Sequence, residues 1–263
     1  MKTAIIGVGA MGGAIAEGML HSCKVNPADI IAANPHTDKL WHLVDAGVLV
    51  TSDNKAAAAK ADVVIVAVKP WLAEDVMKDL MTVMDYRRQV LVSVVAGVTA
   101  AQINGWMQKD GAMPQLFLVI PNTAASICES MTFIAPCNAS EHNTELIKKL
   151  FDNIGSTIIT DERHLAAGMV LASCGTAFAL RYIRASAEGG VELGFRAAEA
   201  TRIVAQTVKG AACLLMNSGS HPEEEIDKVT TAGGLTIKGL NAMEQAGFTG
   251  AVIQGLKAAG SIP

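Results

Sequence analysis

Basic clusters, paired cysteines and aromatic side chains are what this 263-residue sequence has least of. Aromatics make up 4% and charged residues 17%, with 21 Lys and Arg against 25 Asp and Glu, for a net charge of -4. That balance supplies no basic surface to neutralise a run of phosphates, so nucleic acid is not an expected partner. Five cysteines, Cys23, Cys128, Cys137, Cys174 and Cys213, are odd in number, scattered and without a CxxC pair, and no His stands at metal-ligand spacing. Neither a disulfide framework nor a metal site is expected. The cysteines read as reduced small residues of a cytoplasmic protein, with a free reactive thiol as the sharper alternative. No stretch shows the roughly 18 uninterrupted apolar residues of a membrane span, so no membrane is expected. Lys2 and the apolar run after it imitate a secretory signal, but four glycines break the run before Ala14-Ile15-Ala16.

What is present is 51% hydrophobic residue content in a length that permits one large domain or two modest ones. In the first half, short β-branched runs alternate with amphipathic stretches: Ala4–Ile6, Ile30–Ala32, Val48–Val50, Val63–Val66 and Val90–Val94. Each is too short for a helix, and the alternation is that of βαβ units around a parallel sheet. Runs at Leu116–Ile120, Met131–Ala135 and Ile154–Ile159 extend the sheet, with a helix near Glu141–Phe151. After Asp161 the texture changes to Ala-, Gly- and Leu-rich stretches with helical spacing, as in Leu165–Ala187 and Ala197–Met216. The expected fold is therefore α/β: a Rossmann-like, mostly parallel sheet over residues 1–160 and a second, all-helical domain over 161–263. Asn217 to Pro222 ends the last long helix, and Glu223-Glu224-Glu225 reads as a helical first turn rather than a catalytic cluster.

Gly7-Val8-Gly9-Ala10-Met11-Gly12 follows a predicted strand and opens a predicted helix. In that context a GxGxxG pattern is a dinucleotide site: Gly7 for the turn, Gly9 for approach of a pyrophosphate, Gly12 for helix packing. Helix N–H groups then meet the diphosphate. A ligand-free glycine turn is the bland alternative. At the end of the second strand, Ala33-Asn34-Pro35-His36-Thr37-Asp38-Lys39 has no carboxylate at the tip for a ribose 2′-hydroxyl. Asn34 with His36 and Lys39 nearby favours NADP(H), with NAD(H) as the alternative. Ala67-Val68-Lys69-Pro70 and Val95-Ala96-Gly97 end the fourth and fifth strands, where small residues let a flat cofactor lie close. For Lys69 two readings stand, a cofactor-facing residue and a solvated loop residue.

A second signal is Val229-Thr230-Thr231-Ala232-Gly233-Gly234-Leu235-Thr236. Paired glycines before an amphipathic helix make an N–H cradle for a small anion such as a carboxylate, with Thr236 on the first turn. A Gly-Gly helix entry with Thr capping is the plain alternative.

These segments, with Val95-Ala96-Gly97-Val98-Thr99, Pro121-Asn122-Thr123, Gln206-Thr207-Val208-Lys209-Gly210 and His221-Pro222, resemble the pyrroline-5-carboxylate reductase family along nearly the whole chain. The resemblance implies a cofactor domain and a helical domain through which subunits dimerise, with dimers assembling further in many members. It implies a substrate carboxylate on the backbone of Thr231, Gly233, Gly234 and Leu235, with Thr236 bonding the ring nitrogen. It also places Asn34, Asn54 and Ala67 to Pro70 along the cofactor. The chain departs from the family pattern at Ala232, where a proline is usual, at Leu118 and Ala124 for an Arg and a Pro, and at Phe178 for a Tyr.

The implied reaction is hydride transfer to a cyclic imine, giving proline. An imine already protonated in solution needs no strong acid, so a threonine hydroxyl suffices where no catalytic His or Lys stands. One rival is a β-hydroxyacid dehydrogenase, which needs a lysine on its first interdomain helix; none occurs between Lys149 and Lys209. Another is a nonenzymatic NADP(H) sensor, against which the Gly233-Gly234 cradle argues.

Overall fold

The β-branched runs become strands, buried on both faces in the centre of the sheet as a parallel sheet covered by helices requires, and partly exposed at its two edges. The computed structural model describes residues 1–260. Its strands are β1 (Thr3–Ile6), β2 (Ile30–Ala33), β3 (Leu49–Thr51), β4 (Val63–Val66), β5 (Val90–Ser93), β6 (Gln115–Ile120), β7 (Ser130–Cys137) and β8 (Gly155–Ile159). They form one sheet in the order β3-β2-β1-β4-β5-β6-β7-β8. All neighbours are parallel except β6 and β7. The order reverses between β1 and β4, so the carboxyl ends of β1, β2, β4 and β5 border the crevice where such sheets bind ligands.

The helices of this part are α1 (Ala10–His21), α2 (Trp41–Asp45), α3 (Asn54–Lys60), α4 (Ala73–Met81), α5 (Ala100–Met107), α6 (Glu141–Asp152) and α7 (Glu162–Gly168). One face of the sheet buries Ile5, Ile15, Met19, Phe117 and Phe151, and the other Ile6, Met77, Leu80 and Leu91. Each contributes about 1.5–3 kcal/mol of burial. The reversal at β7 follows the 3₁₀ turn Thr123–Ile127, which ends on Cys128 at φ +60°. Helix α1 lies directly on this turn because residue 18 is glycine: a Cβ there would stand 2.1 Å from the Ala125 carbonyl oxygen.

Beyond come α8 (Gly175–Glu192), α9 (Ala197–Ser218), α10 (Pro222–Lys228), α11 (Leu235–Gln245) and α12 (Phe248–Gly260), with no strand among the described residues. The stretch of helical spacing over Leu165–Ala187 is helical throughout, as α7, a π-helical segment Met169–Cys174 and α8. The π segment and the chain after β6 are bonded in both directions: Asn122 Nδ2 donates to the Ala172 carbonyl at 3.4 Å, and Ser173 Oγ donates to the Pro121 carbonyl at 3.1 Å.

Packing divides the chain into Met1–Ser173 and the part from Cys174 on, later than the boundary expected near Thr160. The reason is α7. Gly168 lies against the Phe133 ring, where an added Cβ would come within 2.8 Å, and Glu162 accepts the Ala100 N–H at 2.9 Å. The helix therefore packs with the sheet. A second difference concerns apolarity: Glu162–Glu192 is one helical stretch long and apolar enough to cross a membrane by length and composition. Arg181, Arg184 and Glu188 interrupt it, so a count of uninterrupted apolar residues passes it over.

Candidate active site

The three glycines of the first motif differ in what surrounds them. Gly7 sits at φ +92°, and a Cβ there would lie 2.8 Å from Val68 Cγ1. At Gly12 an added Cβ would lie 2.4 Å from the Gly7 carbonyl oxygen, so this glycine lets α1 close on the turn. Gly9 is the opposite case: an added Cβ would meet nothing within 4 Å, so the space over it is open. Gly9 also caps α1 without a side-chain acceptor for the first-turn N–H groups. An open cradle facing uncapped helix N–H groups fits a diphosphate. Val8 is buried, Ala10 exposed and Met11 partly buried.

The other nucleotide-site candidates collect at neighbouring strand ends. The turn is hung on β2 by the Gly7 N–H, which donates to the Ala33 carbonyl at 2.9 Å. Asn34 is partly buried; His36 and Lys39 after it are exposed. Asp38 lies in the first turn of the 3₁₀ segment Thr37–Leu40, a helix-opening place. Asn54 is the first residue of α3, after the cap Asp53, whose Oδ1 accepts the Ala56 N–H at 3.0 Å. After β4, the Ala67 N–H donates to the Ile6 carbonyl at 2.8 Å, binding this end to β1. Ala67 and Val68 are partly buried, and Lys69 and Pro70 exposed. After β5, Ala96 is exposed beside Gly97 at φ +74°.

In the helical unit, Thr231 to Gly234 form a turn closed by the Gly234 N–H donating to the Thr231 carbonyl at 3.0 Å. Gly233 takes φ +69°, the third-position conformation a type II turn needs. Ala232 stands at the second position, which in such turns favours proline. Gly234 caps α11 without a side-chain acceptor. Its own N–H is used in the turn, whereas the first-turn N–H groups of α11, at Leu235 and Thr236, have no side-chain cap and can meet an anion. Gly234 is needed for closeness: a Cβ would fall 2.5 Å from Thr231 Oγ1. Leu235 is 88% exposed and Thr236 also exposed, so this end of α11 is accessible.

The three acids at 223–225 occupy the first turn of α10, where they complement its dipole. Lys228, bonded at 2.7 Å, holds the Glu225 carboxyl below the usual carboxylate range. Leu118, where the family pattern has an Arg, is 5% exposed inside β6. The cysteines are free. Burial pushes the Cys137 thiol up, against thiolate reactivity there. Among the described residues no group of three His, Cys, Asp or Glu could hold a metal ion. The Asn122 amide, engaged on the π segment, carries no signal of that role in sequence beyond its Pro-Asn-Thr context.

Residues 162–261 match the family described as pyrroline-5-carboxylate reductase dimerisation, and residues 2–97 that described as NADP oxidoreductase, coenzyme F420-dependent. Pyrroline-5-carboxylate reductase 2 of Dictyostelium discoideum is 39% identical, over 96% of this chain and 89% of that protein. A solved pyrroline-5-carboxylate reductase from Coxiella burnetii superposes with a TM-score of 0.89 at 26% identity, covering 98% of this chain and 96% of the other. A Plasmodium falciparum pyrroline carboxylate reductase solved with NADP bound shares the fold, with a TM-score of 0.87 at 21% identity over 99% and 95%.

Proposed function

The chain belongs to the pyrroline-5-carboxylate reductase family and is an NAD(P)H-dependent oxidoreductase reducing 1-pyrroline-5-carboxylate to proline, for which we propose NADPH as the preferred donor and Thr236 as the catalytic residue. The observation that carries the site assignment is the pair of uncapped helix starts, each preceded by a glycine turn, one on α1 and one on α11. Two anions are to be held, a cofactor diphosphate and a substrate carboxylate, and each helix start suits one.

Gly7, Val8, Gly9, Ala10, Met11 and Gly12 hold the diphosphate by backbone. Asn54, the segment Ala67-Val68-Lys69-Pro70 and Ala96 line the remainder of the crevice. When bound, the nicotinamide cofactor supplies the hydride. His36 and Lys39, exposed after a strand tip with no carboxylate, favour a 2′-phosphate and hence NADPH over NADH. Thr231, Gly233, Gly234 and Leu235 shape the turn and helix start that receive the substrate carboxylate. Thr236 at that start holds the ring nitrogen through its hydroxyl and steadies the proton there.

Support for a homodimer through the helical unit comes from its exposed apolar side chains, among them Leu180, Leu193, Phe195 and Ile253, and from the dimerisation match over the same residues. Dimers then assemble further, as the family resemblance implies. These exposed apolar side chains fit the cover of a second copy of the chain, and no membrane is invoked. The unpaired cysteines suit the reducing cytoplasm.

The test is Thr236→Ala. Turnover should fall roughly 10²-fold, the low end for positioned proton transfer, while NADPH binding is kept. Undiminished turnover removes Thr236 from the mechanism.

A further inference from the structure

One side chain joins the glycine turn to the segment after β2. Asn34 Nδ2 donates to the Val8 carbonyl at 2.7 Å, and Asn34 Oδ1 accepts the His36 N–H at 2.9 Å. Its backbone N–H is fixed in turn, donating to the Thr51 carbonyl on the neighbouring strand at 3.1 Å. Both polar atoms of the amide are thus engaged inside the protein. The first bond pins the peptide between Val8 and Gly9, on which the placement of the α1 N–H groups depends. The second makes an Asx turn of Asn34-Pro35-His36 and so sets the direction in which His36 and Lys39 leave the strand.

Resting on the reading that NADP(H) lies on this turn with its 2′-phosphate beside that segment, we propose that Asn34 is a positioning residue. Its amide holds the diphosphate-binding turn and the 2′-phosphate-facing segment in fixed register. It also bars a carboxylate from position 34. An ionised Asp has acceptors only. It would keep the His36 bond but set a second oxygen against the Val8 carbonyl at about the present hydrogen-bond distance. One donor and one acceptor on a short stem are what the two partners require, and Asn supplies both.

Steady-state kinetics with NADPH and with NADH test this on the full enzyme, using Asn34→Ala, Asn34→Ser, Asn34→Asp and Lys39→Ala, with the thermal melt of each variant recorded. Asn34→Ala is expected to raise KM for both cofactors by a similar factor, roughly 5- to 30-fold for one to two net hydrogen bonds, with kcat within about twofold. Asn34→Ser still has an acceptor for the His36 N–H but is too short for Val8, so it should fold and show the same joint rise even if the alanine variant melts early. Asn34→Asp should raise both KM values, that for NADPH more. A rise for NADPH alone in the alanine and serine variants would make Asn34 a direct 2′-phosphate ligand and overturn the proposal. Unchanged KM values, or a fall in kcat at constant KM, would overturn it too. The cofactor reading fails separately, when the native enzyme shows no preference for NADPH and Lys39→Ala is silent. The Asn34 proposal is then judged by the paired KM shifts alone.

Discussion

The sheet unit buries Phe117, Phe151, Ile5 and Met77 completely, whereas among the described residues from Cys174 on the buried apolar ones are only Ala187 and Ala200. Both units come from a chain of even apolar content, so the difference lies in where the apolar side chains go. In the first most of them cover two faces of a sheet. In the second they remain at the surface, with Leu180 60% exposed and Ile253 51% exposed. The sheet unit has its own buried core and carries the glycine turn proposed to hold the nucleotide. On the proposed reading, the helical unit carries the other anion site, and a second copy of the chain covers its exposed apolar side chains.

The largest effect is expected from attacking that dependence. Leu180→Glu combined with Ile253→Glu should turn the proposed dimer into a monomer by light scattering and lower activity by two orders of magnitude or more, on the order of the several kcal/mol a lost apolar interface represents. A dimer of undiminished activity would erase the contrast between the units.

Next in size are two glycine substitutions that separate packing from ligand space within the sheet unit. Gly12→Ala puts a methyl group against the Gly7 carbonyl and should cost about 1–3 kcal/mol of stability along with NADPH binding. Gly9→Ala meets open space, so the loss of NADPH affinity should greatly exceed its loss of stability. Comparing denaturation midpoints with NADPH titrations of the two variants decides this. Equal stability losses would mean that the space over Gly9 is not reserved for a ligand.

A smaller gain is expected in the helical unit. Ala232→Pro occupies the turn position where proline is favoured and should stabilise by about 0.4–1 kcal/mol through the unfolded chain. A lower melting temperature would show that the Thr231–Gly234 turn does not accept φ near that of proline at residue 232.

The smallest effect concerns acid. The Arg163 guanidinium beside Asp161, helped by His164, holds that carboxyl at about 2, and Asp161 caps α7. Burial opposes ionisation of Asp152, but bonds from Lys148 and Thr157 outweigh it, so this carboxyl too lies below its usual range. For groups lowered in the folded state, the stabilisation is complete above about pH 4 and is lost as pH falls towards about 2. Urea denaturation of Asp161→Asn against the native protein should show a stability difference at pH 6 that shrinks below pH 4. A difference independent of pH would contradict the assigned bonds.

Much of this was legible in the sequence, because burial on both sheet faces demands runs such as Val63–Val66, and a glycine turn after such a run has few other uses. Strand direction at β7 was not, since Met131 to Ala135 looks alike in either sense and the Thr123–Ile127 turn decides it. The π segment was hidden because Met169–Cys174 has the composition of any apolar helix, and its partners, Asn122 and Pro121, stand about fifty residues away in sequence. At the site, the glycines and Thr236 could be named from their motifs. That Asn34 is engaged by Val8 and His36, and that the Gly234 N–H is already used by Thr231, depends on bond directions that residue types do not encode.

The account rests most directly on what the enzyme consumes. Cofactor oxidation should be followed with 1-pyrroline-5-carboxylate and, for comparison, a six-membered cyclic imine acid, with NADPH and NADH each as donor and proline identified as product. The prediction is rapid oxidation of NADPH with the five-membered imine, slower oxidation of NADH, and proline formed in equal amount. Absence of cofactor oxidation with the five-membered imine, or oxidation without proline, would contradict it.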